Sequence, residues 1–116
     1  MIDLHLLTRI TRDDYSFLSM ISQKICDSNE KFRVQFNTAM QDENWNHCYY
    51  LLLEFFKKTS AYSTGNFKSA VQNTLDTVKI SDSSESRKIA CENILQRIQD
   101  GTDNLKSRFP SPTVQH

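Results

Sequence analysis

Histidine, cysteine, glutamate and lysine are the side chains through which this chain could transfer a group or hold a metal, and their spacing decides which chemistry is open. The histidines are His5, His47 and His116, and the cysteines Cys26, Cys48 and Cys91. His47 and Cys48 are neighbours, but neighbours on a helix point about 100° apart, so they do not readily pair as base and nucleophile. The cysteines are odd in number and widely separated, unlike a disulfide framework or the close pairs of a zinc site. They read as small buried residues. No Gly-rich phosphate loop, paired-cysteine motif or nucleophile elbow occurs in the sequence. The expectation is a non-enzyme without metal or cofactor.

Charge narrows the partners. Fourteen basic residues stand against fourteen acidic ones, so no net field draws the chain onto a phosphate backbone or an anionic membrane. Nucleic acid and membrane are therefore not expected partners, and a protein is. The start, Met1-Ile2-Asp3-Leu4-His5, has no basic segment followed by an apolar run. The most apolar window, Tyr49 to Phe56, is broken by Glu54, and no stretch reaches the length of a membrane span. A cytoplasmic location is expected. Oligomeric state, monomer or homodimer, is left open.

The elements that must position these residues are helical. The chain has only two glycines and two prolines, too few for the many tight turns of a sheet protein. Its 116 residues make one domain over 1–108, with 109–116 reading as a disordered C-terminal tail. Leu18, Ile21, Ile25, Phe32, Phe36 and Met40 recur at helical spacing, predicting a long amphipathic helix capped by Asp13 or Asp14. Trp45, Tyr49, Leu52 and Phe56 resume the period, predicting a second helix to about Tyr62. Gly65 is expected to end it in the left-handed conformation. Phe67, Ala70, Val71, Leu75 and Val78 mark a third helix. Cys91, Ile94, Leu95, Ile98 and Leu105 mark a fourth, ended or bent near Gly101. Ile2 to Ile10 suit a short helix over one end. The fold class that follows is all-α, an up-down-up-down four-helix bundle with a short N-terminal helix.

On the second helix and the turn after it, the residues Asn44-Trp45, then Leu51 to Ala61, then Gly65 resemble the histidine phosphotransfer domain family. That family relays phosphoryl groups between receiver domains in bacterial two-component signalling. Its pattern is roughly Asp-Trp-x-x-Leu, an Ala-His pair, then x-Leu-Lys-Gly-x-Ala and a later glycine. The segment Phe36 to Met40 resembles the end of the family's preceding helix. The phosphoryl-accepting histidine is missing. Aligning Lys58, Ala61 and Gly65 puts Phe55 in its place, whereas aligning the apolar phase puts Glu54 there with Lys57 as the family's lysine.

The resemblance implies a pseudo-phosphotransfer protein that keeps the family's docking face without exchanging phosphate. Its expected partner is the receiver domain of a response regulator or sensor kinase. Phe55 would anchor that contact, or else join the core beside Leu52 and Phe56. Lys57 or Lys58 would meet the receiver's acidic pocket. His47 lies two turns before Glu54 on nearly the same face, without the lysine and glycine that serve the family's histidine. The alternative reading is a small helical chaperone or adaptor of a bacterial secretion system or virulence regulator, binding through the aromatic helix that carries Trp45, Tyr49, Tyr50, Phe55 and Phe56. The partner-binding candidates are thus His47, Tyr50, Glu54, Phe55, Lys57 and Lys58.

Overall fold

Each helix starts where a side-chain oxygen meets an unpaired backbone amide. In the computed structural model, which describes residues 1–109, the order is α1 (Leu4–Ile10), α2 (Tyr15–Gln41), α3 (Trp45–Thr59), a 3-10 turn (Ser60–Tyr62), α4 (Gly65–Ile80) and α5 (Ser84–Arg108). The protein is all-helical. Among the described residues the strand-like pairing is a single antiparallel bridge between Ile2 and Ser63. Asp3, Asp14, Asn44, Thr64 and Ser83 precede the five helices, and each side chain accepts a hydrogen bond from the amide three residues on. A cap of this kind is worth about 1 kcal/mol against alanine.

Thr64 alters the expected role of Gly65. The glycine is the first residue of α4 and has no positive φ, because the cap, and not a left-handed turn, sets the helix boundary. The left-handed residues are Arg12, Asp13 and Glu43. At the end of α2 the Glu43 amide donates to Met40 O and the Asn44 amide to Ala39 O. This paired closure usually employs glycine; here it holds a glutamate at φ 52°.

Helix length dictates the layout. α2 has 27 residues and α5 has 25, against 15 and 16 for α3 and α4. The two long helices therefore run about 40 Å, most of the 47 Å long axis, and the two short ones cover only part of them. α2 packs against α3 and α5, and α4 packs against α3 and α5, closing a cycle. Inside it lie Phe32, Phe36, Leu52, Phe55, Phe67, Val71, Leu75, Ile94 and Ile98. Where α3 and α4 give out, α1 takes over: Leu7 joins Leu18, Ile25, Cys26 and Leu105 in a second, aliphatic cluster.

Between the clusters stands a polar pair. Asn29 and Thr102 are fully buried, and the Asn29 amide nitrogen donates to Thr102 Oγ1 at 2.9 Å, joining α2 to α5. The Thr102 hydroxyl donates in turn to Ile98 O at 2.8 Å. α5 is not ended at Gly101 but continues through it to Arg108. A Cβ on Gly101 would fall 2.7 Å from Met1 Cβ, so the glycine serves close approach of the N-terminal segment. That segment is tied down by Asp3 N–H to Tyr62 O at 2.7 Å and by Thr64 N–H to Met1 O at 2.9 Å. Phe109, expected in the tail, is half-buried with its ring 5.9 Å from that of Tyr15; the rest of the predicted tail, 110–116, lies outside the described residues. Among the described residues no helix is long and apolar enough to cross a membrane.

Candidate functional site

The closure of α2 and the Asn44 cap together fix where α3 begins and hence which of its sides faces out. Asn44 Oδ1 accepts from the His47 amide at 3.2 Å, and one turn later Cys48 is fully buried. The buried stripe is Cys48, Leu52, Phe55 and Thr59. Trp45, Tyr49 and Phe56, expected as the core face, are only half-buried at its margin. The predicted face is thus rotated, because the small cysteine and threonine carry the inward direction and the bulky aromatics flank it.

This rotation removes Phe55 from the docking candidates. Its exposure is 5%, and its ring stacks on Phe32 with centroids 4.2 Å apart and planes 24° from parallel. Exposing that ring would give up about 2 kcal/mol of apolar burial, so Phe55 is a core residue and not a surface anchor. Of the two residues that could replace the family's histidine, only Glu54 faces solvent.

The other five candidates, His47, Tyr50, Glu54, Lys57 and Lys58, are all exposed. Steps of three, four and three from His47 through Tyr50 and Glu54 to Lys57 place these four on one side of the helix; Lys58 sits beside the last. Glu54 Oε1 meets Lys57 Nζ at 3.3 Å, with side chains 63% and 62% exposed. A pair this open is worth ~0–1 kcal/mol, so the fold gains little from it and both charges stay available to a partner. Tyr50 is 62% exposed and meets the Tyr49 ring edge-on, centroids 5.5 Å apart. Lys79, from the last turn of α4, places its ammonium 5.7 Å from the Tyr49 ring centre. His5, on α1, is exposed, and His116 lies outside the described residues.

The thiols belong to the core. Cys48 of α3 and Cys91 of α5 are both fully buried; the interaction of the two thiols holds Cys48 below the ordinary thiol value and, with burial, pushes Cys91 well above it. Cys26 reaches Thr102 O at 3.9 Å, and burial raises it too. Cys26 and Cys91 are thus kept neutral and out of water, which makes them poor nucleophiles, and Cys48 is shielded by its complete burial. Sequence reasoning missed the Asn29–Thr102 bond entirely, although one signal was present: Asn29 falls four residues after Ile25 and three before Phe32, within an otherwise apolar stripe.

No family model matches the chain, and no curated protein and no solved structure matches it.

Proposed function

We propose that this protein is a non-catalytic, phosphotransfer-like four-helix bundle that docks a receiver domain through the outer side of α3 and thereby modulates it. The observation that carries the reading is the exposed Glu54–Lys57 pair. In the apolar-phase alignment these two residues stand where the phosphotransfer family has its histidine and the lysine three residues later. Glu54 is not the imidazole through which that family transfers phosphate, so the family's relay chemistry is not expected at this position. The lysine beside it remains complementary to an acidic pocket. The closed cycle of α2 to α5, with α1 across one end, is compatible with the up-down-up-down arrangement the resemblance implies.

Within this reading Tyr50 supplies the apolar contact that Phe55 does not, and Lys57 and Lys58 supply the charge. Aromatic anchors with a charged rim suit a transient interface. Titration of the chain against receiver domains from its source organism tests the proposal. Saturable binding is expected, weakened about tenfold by Lys57→Glu or Tyr50→Ala at the centre of the contact. Binding to no receiver, or binding indifferent to both substitutions, counts against it.

A further inference from the structure

The end of the molecule next to the α3 stripe carries a groove that the docking stripe does not use. It has a volume of about 440 Å³ and is lined by Glu43, Asn44, Trp45, Asn46, Tyr49, Tyr50, Val78, Lys79 and Arg87. The turn before α3, the first two turns of α3, the last turn of α4 and the first turn of α5 build it. Trp45, Tyr49 and Tyr50 give it aromatic wall area among polar neighbours, and Lys79 and Arg87 outnumber Glu43 on its rim. Trp45 and Tyr49 are half-buried and Tyr50 is exposed, so their faces are held in place while still reachable.

The two cations are fixed by different means. Lys79 lies over the Tyr49 ring, an arrangement that keeps an ammonium in place at modest cost in hydration. Arg87 donates from Nε to Val78 O at 3.0 Å, capping α4. That bond spends one of five guanidinium N–H groups and leaves the terminal nitrogens of this groove-lining residue with no ion pair among the described residues. Neither cation meets a carboxylate: the ion pairs among the described residues are Arg33–Glu30, Lys57–Glu54 and Lys106–Glu30. Glu43 is the one acidic side chain on the rim, and it makes no ion pair there. Two unpaired cations beside exposed aromatic faces are complementary to a carboxylate with an apolar neighbour.

We infer that this groove takes an acidic peptide segment of the protein partner, with a carboxylate between Lys79 and Arg87 and an adjacent apolar side chain against Trp45 and Tyr50. The inference rests on the docking proposal in one respect, that Tyr50 belongs to both surfaces and makes them continuous. It adds the chemistry of what the partner must present beside the α3 stripe. Glu43 opposes the ligand's charge and so limits affinity.

The chain has one tryptophan, and it lines the groove, so occupancy is read directly from Trp45 fluorescence. The probe is an end-blocked hexapeptide of aspartate and glutamate around one phenylalanine; its control has the acids replaced by asparagine and glutamine. The acidic peptide should give a saturable change in emission, with the amide control weaker by about tenfold and binding falling as salt is raised. Lys79→Glu, which removes no hydrogen bond of the fold, should weaken binding about tenfold, and Glu43→Gln should tighten it about twofold. Equal affinity for the two peptides, no effect of Lys79→Glu, or inorganic phosphate displacing the peptide completely at equal concentration would overturn the inference. Peptide binding without receiver binding would refute the receiver proposal alone, and receiver binding with a peptide response blind to Lys79→Glu would refute this one alone.

Discussion

The two ends of the molecule solve the same burial problem with different resources. At one end four helices close a cycle around stacked rings, with Phe32 lying 5.1 Å from Phe36 and 4.2 Å from Phe55. At the other end α2 and α5 outrun their neighbours, and a seven-residue helix with one buried side chain, Leu7, closes the gap. A helix this short is not stable alone; α1 is held by its Asp3 cap, by Leu7 and by the backbone bond from Asp3 to Tyr62. Large apolar side chains stay exposed at both ends, Ile10, Tyr15, Phe17 and Met20 at this one and Val34, Tyr50, Ile80 and Ile89 at the other. The inner stripe anchors α3 firmly enough that its outer stripe has no structural duty, which is what a docking surface requires.

Substitutions at the two ends should expose that difference. Phe36→Ala, in the fully buried aromatic cluster, should cost about 3–5 kcal/mol in chemical denaturation. Leu7→Ala should cost less, ~2–3 kcal/mol, because α1 can detach while α2 to α5 stay packed. Hydrogen exchange separates the cases: Leu7→Ala should speed exchange in α1 and leave the α3 amides protected. Uniform acceleration along the whole chain would show that the ends are one cooperative unit and break the comparison.

The polar pair between the clusters gives a smaller effect. Asn29→Ala removes the bond to Thr102 and opens space in a dry interior, and should cost about 1–3 kcal/mol. Asn29 Oδ1 already lacks a partner among the described residues. Asn29→Leu combined with Thr102→Val should therefore be close to neutral by thermal unfolding, since the apolar pair strands no donor. A double variant as unstable as Asn29→Ala would mean that the pair does more than bridge α2 and α5.

The two glycines sharpen the contrast at the lowest amplitude. Gly65 has open space around its Cβ position and ordinary helical torsions, so Gly65→Ala should stabilise by about 0.4–1 kcal/mol. Gly101→Ala gains the same helix propensity but drives a methyl onto Met1 Cβ at 2.7 Å, and the melting temperature should fall. Stabilisation by both would mean that the N-terminal segment is not held against α5.

Much of this architecture is legible in the one-dimensional pattern. The stripe from Leu18 to Met40 is buried apart from half-exposed Ile21, Asp14 caps α2 as one of two proposed residues, and the apolar run from Phe67 to Val78 lies on α4. The period gives an angle around a helix and says little about depth. Phe55 and Phe56 lie on either side of the Leu52 direction, so both fit the stripe, and only the contact with Phe32 selects Phe55 for the core. Small inward residues such as Cys48 and Thr59 carry weak apolar signal beside Trp45 and Tyr49, which is why the face of α3 was misplaced by part of a turn. Gly65 and Gly101 resist reading for another reason: a glycine that starts a helix, one that ends it and one that admits a neighbour look alike until the neighbour is known. Of the candidate site, Glu54, Lys57 and Lys58 come from the resemblance and spacing adds that His47 and Glu54 share a side of their helix, whereas the groove of Trp45, Lys79 and Arg87 draws on three helices and has no signature in any one of them.

Calorimetric titration of purified receiver domains into the intact chain, run beside its Lys57→Glu and Phe55→Ala variants, bears most directly on the outer stripe of α3 as the working surface. The account predicts that Lys57→Glu lowers receiver affinity about tenfold with the unfolding midpoint nearly unchanged, while Phe55→Ala lowers the midpoint by many degrees as a core substitution does. Full receiver affinity in a stably folded Lys57→Glu protein would contradict it.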